Sequence, residues 1–144
     1  MGIRRTFIVT LSGLVVACGV SCAPPERHYT DDQLKQVTSR KDLMDFLATE
    51  ADPGFALAKD ADPATITPEQ VARLGAIGRA LRGVPPRLAE PAFSKGPEFN
   101  KLAAELGDKL KAMEAAAASK DGGKTLQATL SAKATCAACH SAFR

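Results

Sequence analysis

Apolar residues recur at helical spacing in four segments between Thr30 and the carboxyl end of the chain. Residues three or four apart lie on one face of a helix, and no segment alternates apolar and polar residues as a strand would. Short connections rich in Pro and Gly separate the segments. The pattern predicts an all-α fold, an antiparallel four-helix bundle. The apolar stripes are Leu34, Val37, Met44 and Leu47; Val71, Leu74, Ile77, Leu81 and Val84; Phe99, Leu102, Leu106, Leu110, Met113 and Ala117; and Leu126 with Leu130.

Capping and turn residues predict where the helices begin and end. Thr30 with Gln33, and Thr67 with Gln70, have the spacing of a capping box, so the first two helices should start there. We expect Pro53 and Gly54 to interrupt the first helix, with Phe55–Lys59 continuing after a kink, and Pro85 and Pro86 to end the second. The third helix should begin near Pro97. The fourth should begin at about Lys124, after a turn at Asp121, Gly122 and Gly123.

The first residues have the pattern of an export signal. Arg4 and Arg5 precede an uncharged, mostly apolar run over 7–17, which is too short to span a bilayer as a mature helix. The tetrapeptide VVAC that ends at Cys18 resembles the lipobox of bacterial lipoproteins. We predict a signal peptide over 1–17, lipidation at Cys18 and an extended tether over 18–29. The alternatives are lipidation at Cys22, ordinary cleavage after Ala17 or Ala23, and a twin-arginine signal.

Length and charge narrow the classes of function. The 144 residues suit one domain, which we assign to 30–144. Loss of 1–17 lowers the formal net charge from +3 to +1, and the charges are interspersed rather than clustered. The sequence therefore carries no basic block of the kind that binds nucleic acid, and we expect no nucleic-acid partner.

The fourth segment has too little apolar bulk to fill the core of a bundle. Leu126 and Leu130 are its only large aliphatic residues, and most of the rest is Ala, Ser, Thr, Cys and His. Aromatic residues make up 5% of the chain, so few large side chains elsewhere can compensate. We therefore expect a bulky apolar body to lie against this helix.

The sequence CAACH at 136–140 has the CxxCH pattern of covalent c-type haem attachment. Positions i, i+3 and i+4 share one helix face, so both thiols can reach the two vinyl groups while His140 lies under the iron. A thioredoxin-like CxxC needs a βαβ context, which this helical pattern does not offer. A structural zinc site needs four ligands, and the other Cys and His residues, such as His28, fall in the signal or the tether.

Residues 30–144 resemble the cytochrome c′ family. The matching pieces are the carboxyl-terminal CAACHSAFR, the preceding FNKLAAELGDKLKAMEAA and, in the second helix, TPEQVARLGAIGRALRGVP. Members often carry Lys inside the motif, where this chain has Ala137. The resemblance implies a four-helix bundle with one haem c on the last helix. It also implies thioether bonds from Cys136 and Cys139, proximal iron ligation by His140, packing of Phe143 on the haem and a position near the proximal face for Arg144.

The residue above the iron decides the function that this resemblance implies. In the family the first helix supplies the residue above the iron, and an Arg one turn earlier approaches a haem propionate. By this resemblance Met44 is the residue above the iron and Arg40 is the propionate partner. Ligation by the Met44 thioether makes the iron six-coordinate and suited to electron transfer. An apolar residue leaves the iron five-coordinate and open to nitric oxide or carbon monoxide. The apolar candidates are Leu43, Phe46 and Leu47, whereas Met113 is expected in the core.

We therefore expect an exported mono-haem c-type cytochrome that exchanges electrons with redox partner proteins, which the sequence does not identify. The alternatives are a five-coordinate protein that binds nitric oxide or carbon monoxide, and a haem-free helical lipoprotein. No distal His is available for acid–base chemistry, so we do not expect an enzyme. Members of the family often form dimers through their first two helices, so we also expect a homodimer. Export implies the periplasm of a Gram-negative bacterium, with membrane anchoring through a lipid on Cys18.

Overall fold

The computed structural model of the protein describes residues 31–143, and this part of the chain is helical with no strand. None of the helices in that range is both long enough and apolar enough to cross a membrane. The predicted signal peptide, the tether with Cys18, Cys22 and His28, and Arg144 lie outside the described residues. The helices are α1 (Asp31–Gln36), α2 (Arg40–Asp60), α3 (Pro68–Leu81), α4 (Val84–Leu88), α5 (Pro97–Ala118) and α6 (Gly122–Phe143).

The four long helices α2, α3, α5 and α6 form the predicted four-helix bundle. Helix α5 packs extensively on α6 and on α3, while α2 packs on α3 and α6. Gly75 of α3 faces Ala117 of α5 while the later Gly78 faces the earlier Leu110, and short connections join α2 to α3 and α5 to α6, so consecutive long helices run antiparallel. As a result, the beginning of α2 and the end of α6 lie at the same end of the bundle.

The first predicted helix differs from the observed structure in two ways. It is divided into α1 and α2, because Ser39 caps a new helix by accepting a hydrogen bond from the Asp42 amide at 3.0 Å. Conversely, Pro53 and Gly54 do not interrupt α2, which continues to Asp60. Pro53 is exposed, so the carbonyl that loses its N–H partner can meet water. Gly54 is buried against α3, and this packing holds the helix together through the Pro-Gly pair.

The second predicted helix begins as expected but ends earlier. Its capping box is present: the Thr67 amide donates to Gln70 Oε1 at 2.8 Å, and the Gln70 amide donates to Thr67 Oγ1 at 3.2 Å. The helix ends at Leu81, and Pro85 and Pro86 lie in the first turn of α4 instead of terminating α3. Pro is accepted there because the first turn of a helix needs no amide donors.

The third and fourth predicted helices correspond to α5 and α6. Helix α5 begins at Pro97, as predicted. Helix α6 begins at Gly122, two residues before the predicted start, because Asp121 Oδ1 accepts a hydrogen bond from the Lys124 amide at 2.9 Å. The glycines of the expected turn are therefore the first residues of the helix.

Helices α3 and α5 approach each other closely at two glycines. A Cβ on Gly75 would collide with Cβ of Ala117, and one on Gly78 would lie 3.0 Å from the carbonyl oxygen of Leu110. Only glycine permits this approach without displacing the neighbouring helix. A cavity lies elsewhere in the bundle, where α2 and α5 face α6.

Candidate cofactor site

Helix α6 carries the CxxCH motif within its last two turns. Residues 136–140 are helical, so Cys136, Cys139 and His140 occupy the i, i+3 and i+4 positions of one face. Both cysteines are half-buried free thiols, and His140 is exposed. The three side chains that the sequence analysis placed together therefore do share one surface.

That surface forms one wall of a cavity of about 260 Å³. The walls come from α2, α4, α5 and α6, and apolar side chains dominate them. Apart from the motif, α6 contributes Lys133 and Thr135. The large apolar side chains that complete the walls are Met44, Leu47, Phe55, Leu88, Phe99, Leu102 and Leu106.

The residues present fit the haem that the sequence predicts. The small side chains of α6 are the ones that the sequence analysis expected to face a bulky apolar body, and the cavity lies against them. Two thiols and an imidazole line one side of it, which is the donor set for covalent attachment and proximal ligation. The remaining walls would keep water from the bound group.

Burial, with smaller contributions from the neighbouring Cys139 and Asp52, raises the pKa of the Cys136 thiol to about 11. Burial also raises the pKa of Cys139, although the Lys95 ammonium acts in the opposite direction. Both groups are therefore protonated thiols near neutral pH. Among the described residues, no three His, Cys, Asp or Glu side chains gather as a metal-binding cluster.

Two of the four candidates for the residue above the iron line the cavity. Met44 and Leu47 lie on its α2 wall. Leu43 and Phe46 are buried in the bundle core, at 0% and 3% exposure, and are absent from the cavity walls. Met113, which the sequence placed in the core, is buried there at 1% exposure.

Arg40 has partners that the sequence analysis did not anticipate. Its Nε donates to the carbonyl oxygen of Phe93 at 2.6 Å, and its Nη2 donates to that of Ser94 at 3.3 Å. Arg40 does not line the cavity, and its contact with a haem propionate stays a prediction. These partners are more than fifty residues away in the chain, and no local signal indicates them.

Phe143 packs on the cavity wall rather than lining it. Its ring meets that of Phe99 edge to face, and Phe99 is itself a wall residue. Lys95 donates to the carbonyl oxygen of Phe143 and so supplies a cation at the carboxyl end of α6. The position of Arg144 itself lies outside the described residues.

Two charged residues of the cavity, Asp52 on α2 and Lys133 on α6, were not among the site residues predicted from the sequence. Asp52 follows Met44 by eight residues, which is the spacing of one helix face. Lys133 precedes His140 by seven residues and shares its face for the same reason. The periodicity that identified the apolar stripes could therefore have found both.

One comparison with known proteins gives a match. A family model described as Cytochrome C′ matches residues 79–144, which include part of α3, all of α4 and α5, and the CxxCH helix. No curated protein and no solved structure matches the chain. The matched residues, the helical bundle and the carboxyl-terminal motif agree with one another. Over residues 79–144 the chain is similar to the cytochrome c′ family, which binds a covalently attached haem c with its iron, and this match supports assignment to that family.

Proposed function

We propose that the protein is an electron-transfer cytochrome whose iron is ligated by His140 on one side and Met44 on the other. In the same proposal, Cys136 and Cys139 hold the haem through thioether bonds. The bound haem supplies a one-electron couple between ferric and ferrous iron. The observation that supports this function is the presence of Met44 on the wall that α2 contributes to the cavity containing His140.

Met44 is the best candidate among the cavity residues that can donate an electron pair to iron. Lys133 lies on the same helix face as His140, so it shares the side from which the imidazole approaches. Asp52 is exposed, and it lies about two turns beyond Met44 along α2. A thioether is also a soft ligand, which favours low-spin iron and a stable ferrous state.

The chain provides mostly apolar walls for such a site. Leu47, Phe55 and Phe99 present apolar surface to the cavity. Thr135 is buried and donates to Glu105 Oε1 and to the Ser131 carbonyl oxygen, each at 3.3 Å, so its hydroxyl is satisfied within the protein. A site with apolar walls and both ligands supplied by protein needs little rearrangement when the iron changes charge.

The test is the absorption spectrum of the holoprotein, oxidised and reduced, before and after addition of carbon monoxide. We expect sharp low-spin bands, a thioether-to-iron charge-transfer band at the red end of the oxidised spectrum, and no rapid response to the gas. Met44→Leu should remove the charge-transfer band and open the iron to carbon monoxide. Met113→Leu is the matched control, because Met113 is buried in the core and should leave the spectrum unchanged.

A high-spin spectrum in the unmodified protein, with an immediate shift on adding carbon monoxide, would contradict Met44 ligation. It would favour the gas-binding function. In that function an apolar residue faces the open side of the iron, and Leu47, on the same cavity wall as Met44, is the candidate. A denaturing gel stained for haem decides the third possibility, since a haem-free lipoprotein would give no stained band.

We also propose that the cytochrome is exported to the periplasm and anchored by a lipid on Cys18. The support is the lipobox-like VVAC ending at Cys18, after the basic and apolar signal. Cys18→Ala should release the haem-stained protein from the membrane fraction, and Cys22→Ala should not. Release by the second substitution and not the first would assign the lipid to Cys22.

A further inference from the structure

The start of α2 is attached to the connection between α4 and α5 through Arg40. The guanidinium donates from Nε to the Phe93 carbonyl oxygen and from Nη2 to that of Ser94, and the group is partly buried. Bonds from a cationic donor to a carbonyl are stronger than bonds between neutral groups. The first turn of α2 is therefore held by a contact that does not depend on its apolar face.

A second arginine fixes the preceding helix. Arg87 of α4 donates from Nη1 to the Leu34 carbonyl oxygen and from Nη2 to that of Val37, each at 2.8 Å. These carbonyls belong to the end of α1 and the link that follows it, and that of Leu34 also accepts from the Val37 amide at 3.3 Å. Arg87 thus closes the end of α1 and holds the link between α1 and α2.

The two arginines meet at one residue, Phe93. Its carbonyl oxygen accepts from Arg40, and its ring lies below the Arg87 guanidinium with 5.0 Å between Cζ and the ring centroid. Phe93 is 2% exposed, so this junction is anchored in the core. We call Arg40, Arg87 and Phe93 the arginine clamp.

We infer that the arginine clamp positions Met44 over the cavity; this inference rests on the proposed ligation by Met44. Met44 lies one helical turn after Arg40 and on the same face, so a displacement of the first turn of α2 moves both residues together. The end of α6, where His140 lies, is at the same end of the bundle. Arg40 and Arg87 are accordingly positioning residues, which act on the ligand through the backbone of α1 and α2.

The experiment compares the full-length holoprotein with the variants Arg40→Met and Arg87→Met, which keep the aliphatic bulk and remove the donors. Arg79→Met is the matched control, because Arg79 is exposed and pairs with Glu114 at 2.9 Å on the side of α3 and α5. Two quantities are measured: amide hydrogen exchange across residues 34–47, and the rate at which the ferrous protein binds carbon monoxide.

Both clamp variants should exchange these amides faster than the unmodified protein. Both should also bind carbon monoxide faster, by about tenfold or more, because the loss of even one hydrogen bond from a charged donor corresponds to roughly that factor. The control should change neither quantity. The low-spin band of the clamp variants should persist at equilibrium and weaken on warming sooner than in the unmodified protein.

Each other result rejects part of the inference. Unchanged exchange across 34–47 would overturn the clamp itself. Faster exchange with an unchanged rate of carbon monoxide binding would overturn its effect on Met44. If Arg40→Met alters the haem spectrum and leaves exchange unchanged, Arg40 acts on the haem and not on the backbone. If Met44→Leu binds the gas no faster than the unmodified protein, the proposed ligation fails, while the exchange measurement still decides the clamp.

Discussion

Phe143 in the last turn of α6 meets Phe99 in the first turn of α5 edge to face, with ring centroids 5.4 Å apart and ring planes at 89°. This geometry places the positive edge of one ring against the negative face of the other. Phe99 is 2% exposed and also lines the cavity. The aromatic pair therefore joins the end of the CxxCH helix to the wall opposite it.

Replacement of Phe143 by Ala should lower the free energy of unfolding of the holoprotein by about 2 kcal/mol, less than for a fully buried ring because Phe143 is half-buried. Denaturant titration followed by circular dichroism measures the change. Leu130→Ala is the control: Leu130 is 45% exposed, and its truncation should cost about 0.5 kcal/mol or less. Equal costs for the two variants would show that the ring pair adds nothing.

Replacement of Gly75 by Ala should destabilise the protein by about 1–2 kcal/mol, although Ala favours a helix, because the new Cβ collides with Ala117 of α5. Gly107→Ala is the matched control. A Cβ there would lie 3.4 Å from Cβ of Pro85, close to ordinary contact, so the substitution should stabilise α5 by about 0.5–1 kcal/mol. Thermal unfolding of the two variants should therefore shift in opposite directions, and a stabilising Gly75→Ala would mean that α3 and α5 separate at little cost.

The Cys136 thiol makes the stability of the chain without attached haem depend on pH. Its pKa is raised by burial from 9.0 to about 11, so the folded state favours the protonated thiol. The resulting stability is complete below pH 9 and is lost as the pH rises toward about 11. Unfolding measured from pH 8 to pH 11 should show this loss, and Cys136→Ala should reduce it. A chain with an unchanged slope after the substitution would assign the loss to other groups.

The two charged residues of the cavity should shift the reduction potential in opposite directions. A carboxylate near the iron favours the ferric state, so Asp52→Asn should raise the potential, and Lys133→Met should lower it. Both side chains are exposed, and solvent limits each shift to the order of tens of millivolts. Asp108→Asn, an exposed site paired with Lys111, is the control for a charge outside the cavity. A redox titration at low ionic strength measures the shifts in reduction potential. Shifts equal to that of the control would show that neither Asp52 nor Lys133 acts on the iron more strongly than a charge outside the cavity.

Local signals predicted the starts of α3 and α5, because a capping box and a proline in the first turn act on the backbone beside them. The same signals failed at Pro53 and Gly54. There the cost of a proline inside a helix is outweighed by the packing of Gly54 against Ile77 and Leu74 of α3. The start of α2 at Arg40 was hidden as well, since Ser39 can cap a helix only if the chain before it leaves the helical path.

The sequence by itself determined the four amphipathic helices and the surface shared by Cys136, Cys139 and His140. Both follow from the helical repeat, which sets the angle between residues a few positions apart. The sequence could not decide which of Leu43, Met44, Phe46 and Leu47 lines the cavity, because these residues point in different directions around the axis of α2. That choice depends on the rotation of α2 about its own axis, which is fixed by its packing on α3 and α6 and by the partners of Arg40 far along the chain. Only the tertiary structure contains those contacts.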